Sequence, residues 1–158
     1  MAKVSICVPT YNNVSEVERL LQSIRRQNYT DYEVNISDDS TNDETEELVE
    51  RIRTEWEWQD KLHYIHNANP LGHIYNWNAA IRMSSGEYIK IMFSDDWFTD
   101  EKSLSAFVSM LDEHPEANLA FSGSMQVLLD GQDIEQVKHL SKQATEHGNA
   151  YARYAEDA

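Results

Sequence analysis

Asp95 and Asp96 stand side by side at the end of Ser85-Gly86-Glu87-Tyr88-Ile89-Lys90-Ile91-Met92-Phe93-Ser94, a small-residue turn followed by an apolar run of strand length. Side chains alternate faces along a strand, so adjacent carboxylates serve one ligand only where the strand has ended and the backbone turns. Oxygen-only ligation at such a tip suits Mg²⁺ or Mn²⁺, ions that take one or two protein carboxylates and leave their other positions to water and substrate phosphates. The pair is therefore a candidate metal-diphosphate site. Its structural alternative is a helix N-cap and turn ahead of a helix near Lys102, where aspartate is favoured. A second acidic pair, Asp38-Asp39, follows another short apolar run. An Asx-type turn is the competing reading there, and it suits Asp38 better than Asp39.

These carboxylates belong to an acidic chain. Its 158 residues carry a formal net charge of −15, which argues against a nucleic-acid partner, because phosphate backbones are bound by clustered Lys and Arg and no basic stripe is visible. An acidic protein that binds a small phosphorylated ligand needs local help against repulsion, and a bound cation supplies it directly. The length is that of one domain, which buries roughly 70% of its unfolded surface. Hydrophobic and charged fractions of 41% and 26% are ordinary for a globular protein. No apolar run is as long as a membrane span, and the run from Met1 to Val8 is too short for a secretory signal. The expectation is a soluble cytoplasmic protein with no transmembrane segment, at most peripheral at the inner membrane face. Cys7, the only cysteine, reads as a buried inert thiol.

Repeated strand-loop-helix units must position the carboxylates. Lys3 to Val8 reads as a strand ended by Pro9-Thr10-Tyr11-Asn12; Asn13-x-x-Glu16 is close to a capping box, and Val14, Val17, Leu20, Leu21 and Ile24 share one helical face. Tyr32 to Ser37 is a second strand, broken at Asp38 to Asp43 before a helix marked by Leu48, Val49, Ile52 and Trp56. Leu62 to His66 is a third strand and Asn67 to Gly72 a loop, followed by a helix whose apolar face is Ile74, Trp77, Ala80 and Ile81. Glu87 to Phe93 is the fourth strand, and Leu104, Phe107, Val108 and Leu111 mark a helix that stops before Pro115. Asn118 to Leu128 can form a fifth strand, and apolar periodicity fades from Lys138 onward. The pattern predicts an α/β, Rossmann-like, mostly parallel sheet flanked by helices over residues 1–131, with 132–158 as a tail, marginally helical or disordered.

In an open parallel sheet, ligands bind outside the carboxyl ends of the strands. Those ends here carry Pro9-Thr10-Tyr11-Asn12, Asp38-Asp39, Asn67 with Asn69 and Gly72, and Asp95-Asp96. His63 and His66, three apart on a strand, point to opposite faces and make a poor metal pair. Trp97 and Phe98 can stack on a sugar or acceptor ring or pack in the core, two readings that stay open.

The blocks Val4-Ser5-Ile6-Cys7-Val8-Pro9-Thr10-Tyr11-Asn12, Ser37-Asp38-Asp39-Ser40-Thr41-Asn42-Asp43, Asn69-Pro70-Leu71-Gly72, Asn78-Ala79-Ala80 and Ser85-Gly86-Glu87-Tyr88-Ile89 through Asp95-Asp96 occur in this order. In them the chain resembles the nucleotide-sugar half of family-2 glycosyltransferases with the GT-A fold, from about Lys3 to Gly131. The resemblance implies inverting transfer of a sugar from a nucleoside diphosphate sugar, UDP-linked, to a polysaccharide or glycoconjugate acceptor. It implies that Pro9, Thr10 and Tyr11 lie along the base and that Asp39 accepts a hydrogen bond from it, since an ionised carboxylate suits the N3–H of uracil. Asn67, Gly72 and Asn78 would line the base and diphosphate side, Asp95 would meet the ribose or sugar, and Asp96 would hold Mg²⁺ or Mn²⁺. The metal would neutralise charge on the departing diphosphate while a separate carboxylate base deprotonates the acceptor.

The chain departs from that family in places. Many relatives carry an earlier Asp where Phe93 stands, and often a phosphate-facing Arg where Trp77 stands. Relatives also continue into an acceptor-binding half that supplies the base, and nothing after Gly131 resembles it, so no catalytic base is identified. The expectation is an enzyme or its donor-binding part, truncated or naturally short, completed by a missing acceptor domain or a partner. Two other readings remain: a non-catalytic nucleotide-sugar-binding module, and a nucleotidyltransferase using the same metal logic.

Overall fold

The computed structural model describes residues 2–123. Within the compact unit Met1–Ala106 lie four strands, β1 Val4–Thr10, β2 Tyr32–Asp38, β3 Leu62–His66 and β4 Tyr88–Ile91. They form one parallel sheet in the order β3-β2-β1-β4. The helices are α1 Val14–Arg25, α2 Glu44–Trp56, α3 His73–Arg82 and α4 Ser103–Glu113. The α/β class and the strand-loop-helix alternation are as expected. Residues 118–123 hold no strand, because apolar alternation becomes a strand only with a ladder partner, and none pairs with them among the described residues. The rest of the expected fifth strand and the tail 132–158 lie outside the described residues.

The chain steps from β1 to β2 to β3 in one direction and then returns past both to β4. Right-handed crossovers therefore place α1 and α2 on one face of the sheet and α3 on the other. The two faces differ chemically. Val4, Ile6 and Val8 of β1 lie in register with Tyr32, Val34 and Ile36 of β2. With Leu62 they are buried together with Val17, Leu20, Leu21 and Ile24 of α1 and Leu48, Val49 and Ile52 of α2, and this is the core. The opposite register set is Ser5, Cys7 and Pro9 against Glu33, Asn35 and Ser37, so the α3 side is held by hydrogen bonds rather than by apolar packing. That shifts the buried face of α3: Ala80 is buried as expected, but with Asn76 beside it, whereas Ile74 and Trp77 of the expected face are exposed.

Two local differences from the sequence reading have physical causes. The β4 ladder stops at Ile91 rather than Phe93, because the chain turns there and the Asp96 N–H closes on the Phe93 carbonyl at 2.9 Å. Asn13 precedes α1 but its side chain does not cap it; its carboxamide oxygen accepts from Thr10 Oγ1 and its amide donates to Ser94 Oγ. At the amino end of the sheet, Gly86 packs where a Cβ would lie 2.8 Å from the Ser5 nitrogen, so only glycine lets β4 approach β1 there.

Candidate functional site

A cleft of about 690 Å³ opens at the carboxyl ends of the strands, within the size range of small-ligand sites. Pro9, Thr10 and Tyr11 line it from the end of β1 and Asn13 from the start of α1. Asp39 enters after β2, Gly72, His73, Asn76 and Trp77 from the start of α3, and Phe93, Ser94 and Asp95 after β4. The fold thus brings Pro9, Thr10, Tyr11, Asp39, Gly72 and Asp95 to one hollow. Asn67, Asn78 and Asp96 are not on its wall. Asn78 is exposed and donates to the Ile74 carbonyl in its own helix.

Asp39 is 3% exposed and organises one end of the cleft. One carboxylate oxygen accepts from the Asn67 amide at 2.9 Å, and the other accepts from the Gly72 N–H at 2.8 Å. Gly72 holds φ at +81°, a left-handed value that favours glycine, and its carbonyl accepts from the Asn76 N–H to open α3. Asn67 stands one layer behind the wall, also donating to Ser37 Oγ and facing Asn76 Oδ1. Asn76 in turn donates to the Thr10 carbonyl at 3.0 Å. Asn12, at φ +50°, accepts from the Thr41 N–H and donates its own N–H to Ser40 Oγ, bracing the loop that carries Tyr11. The neighbouring Asp38 is fully buried, forms the Asx turn with the Ser40 N–H and accepts from the Tyr64 hydroxyl at 2.9 Å.

The other end is formed by the turn after β4. Of the structural alternative for Asp95 and Asp96, the helix-cap half does not hold, since α4 begins only at Ser103, whereas the turn half does. Asp96 folds back to accept from the Phe93 N–H at 3.3 Å. Burial pushes the Lys90 ammonium down in pKa while the charge of Asp96 partly restores it, so the two lie within electrostatic reach. Among the described residues, no Lys or Arg lines the cleft and no three His, Cys, Asp or Glu side chains form a ready-made metal cage. Oxygen donors without a cation fit a site where an ion such as Mg²⁺ or Mn²⁺ keeps most of its shell from water and ligand. Phe98 is buried and Trp97 lies beneath the Arg19 guanidinium at 4.4 Å, so neither faces the cleft. Trp77 and Phe93 do, with ring centroids 4.9 Å apart.

Asn76, Asn13 and the Trp77–Phe93 contact were not singled out from sequence as site features. The apolar pattern of α3 gave no signal for Asn76, which lies away from the stripe of Ile74, Trp77 and Ile81. The aromatic contact joins residues 16 positions apart and has no local signature.

Comparison with known proteins identifies the family and the fold. The family model described as "Glycosyl transferase family 2" matches residues 5–146. Among curated proteins, the chain is 28% identical over 152 residues to the GalNAc(5)-diNAcBac-PP-undecaprenol beta-1,3-glucosyltransferase of Campylobacter jejuni, covering 90% of this chain and 47% of that protein. It is 33% identical to the abequosyltransferase RfbV of Salmonella typhimurium, covering 73% of this chain and 34% of that one. The chain therefore spans less than half the length of these relatives. Among solved structures, Staphylococcus aureus TarS 1–349 in complex with UDP-GlcNAc matches at TM-score 0.63 and 29% identity, over 72% of this chain and 32% of that one. The mannosyltransferase PcManGT of Pyrobaculum calidifontis matches at TM-score 0.63 and 23% identity, over 90% of this chain and 40% of that one, a likeness of fold. No helix among the described residues is long and apolar enough to cross a membrane.

Proposed function

Since this chain belongs to glycosyl transferase family 2, we propose that it binds a UDP-linked sugar in the cleft beyond β1, β2 and β4. There it serves transfer of that sugar, with inversion, to a polysaccharide or glycoconjugate acceptor. The observation that carries the reading is the state of Asp39. An ionised carboxylate offers about four acceptor positions. Two are taken by Asn67 and Gly72, and the group lines the cleft, leaving capacity for a donor such as a pyrimidine N3–H. The likeness to a structure that holds UDP-GlcNAc supports the same ligand class.

In this reading Tyr11, 55% exposed beside Pro9 and Thr10, lies along the base, and the N–H groups at the start of α3 face the diphosphate. Asn67 holds Asp39 rather than touching ligand. Asp95, on the wall, would meet the ribose or sugar, and Asp96, in the turn beside it, would hold Mg²⁺ or Mn²⁺, which when bound would neutralise charge on the leaving diphosphate. No carboxylate among the described residues is assigned as the acceptor base, and the donor-binding domain is placed within residues 1–131.

Calorimetric titration of UDP with and without Mn²⁺ tests this. Binding should tighten about tenfold with the ion, a difference of about 1.4 kcal/mol, and Asp96→Ala should erase that gain. An affinity indifferent to both changes would rule out metal-bridged diphosphate binding, and no UDP binding under any condition would end the reading as a whole.

A further inference from the structure

We propose that Trp77 and Phe93 form an aromatic shelf that receives the C–H face of the transferred sugar ring and sets which sugars the site accepts. The inference rests on the nucleotide-sugar reading above and deepens it. Two observations carry it. The rings touch at 4.9 Å and 49°, forming a single apolar wall of the cleft. They remain 37% and 40% exposed, unlike the Tyr32–Trp58 ring pair, which is 6% and 8% exposed and packs as core.

Position and charge select the occupant. Asp39 marks the β2 end of the cleft, whereas Phe93 follows β4 beside Asp95 at the opposite end. A nucleoside held at Asp39 points the rest of its ligand across the tip of β1 toward the rings. Aromatic faces carry partial negative charge, so they repel a phosphate and attract polarised C–H groups. The pyrophosphate is thereby disfavoured on the shelf, and a pyranose lying with its C–H face on the rings is favoured, its hydroxyls turned toward Asp95 and Ser94. Trp77 is held on α3 one helical turn after His73, so the shelf is offered from a regular element rather than a loose loop. Trp97 and Phe98, the aromatics that directly follow the aspartates, are occupied elsewhere.

The test compares UDP with UDP-glucose and UDP-N-acetylglucosamine on the intact chain and on Trp77→Ala, Phe93→Ala and Trp77→Phe, with Mn²⁺ present. The wild-type chain should bind at least one UDP-hexose more tightly than UDP. Either alanine variant should lose about tenfold in affinity for that sugar nucleotide, while UDP changes by less than about twofold and Trp77→Phe keeps most of the gain. Unchanged melting temperatures, expected for such exposed side chains, separate this from a folding defect. Equal losses for UDP and UDP-sugar, no loss for either, or no sugar increment in the wild type would overturn the shelf while leaving nucleotide binding intact. If the wild type binds neither UDP nor the sugar nucleotides, the nucleotide-sugar reading falls first and the shelf with it.

Discussion

Strand β2 carries a carboxylate near each end, Glu33 at its start and Asp39 just past its exit, and the two solve the cost of burial differently. Glu33 is 8% exposed and receives hydrogen bonds from Ser5 Oγ, Asn35 Nδ2, the Ser85 N–H and Ser85 Oγ. Burial opposes its ionisation, but these bonds outweigh burial and hold the carboxyl down at about 2. Four protein donors reach it, three on Oε1 and one on Oε2, and they tie the turn between α3 and β4 onto the sheet. Asp39 is also buried but, among the described residues, receives only the Asn67 and Gly72 donors on the wall of an open cleft. A carboxylate held by four protein donors fastens the fold; one with two donors on a cleft wall keeps acceptor capacity, which is what its proposed role as a receptor rests on.

The largest effect should come from the fastening. Glu33→Ala at neutral pH should cost about 2–3 kcal/mol of stability, read by denaturant unfolding, since the group's folded pKa lies well below its unfolded value. The sign follows: this contribution is complete above the unfolded carboxylate pKa, about 4.3, and drains away as pH falls through about 2. Acid should therefore erode the wild type more steeply than Glu33→Ala across that window. Parallel acid curves would show that Glu33 is not the fastening end of the comparison.

Asp39→Asn should weaken UDP binding about thirtyfold, equivalent to about 2 kcal/mol for a bond to a charged acceptor. Stability should fall less than in Glu33→Ala. An unchanged UDP affinity would make Asp39 a second fastening and remove the contrast. The smallest effect belongs to Asp38, whose bonds are internal. Tyr64→Phe removes one of them and should cost about 1 kcal/mol of stability, with UDP affinity untouched; a loss of binding instead would extend the receptor to the buried Asp38.

How much of this was legible in the chain depends on range. The Pro9-Thr10-Tyr11 exit, the Asp38-Asp39 break and the Gly72 turn are written in consecutive residues, because strand alternation and turn chemistry act over a few positions. The Asx turn of Asp38 was also readable, since it needs a donor only two residues on. Asn67 and Asn78 were expected against the ligand. Their amides are instead spent inside the protein, on Asp39 and on a helical carbonyl, a choice among competing acceptors that becomes real only once strands are adjacent. The exposed Ile74 and Trp77 show the same limit. Periodicity reports that a helix has an apolar stripe, but which side it buries depends on the chemistry of the sheet face beneath, here polar.

From the residues alone came the α/β class, the order of strands, loops and helices, and the set of polar tips that a parallel sheet must gather at one edge, because these follow from local periodicity and backbone geometry. Tertiary structure decided how many protein donors each carboxylate received and which one reached a cleft wall, and it brought Trp77 against Phe93. Hydrogen-bond satisfaction and ring contact depend on distances between segments far apart in the chain, and those distances exist only after folding.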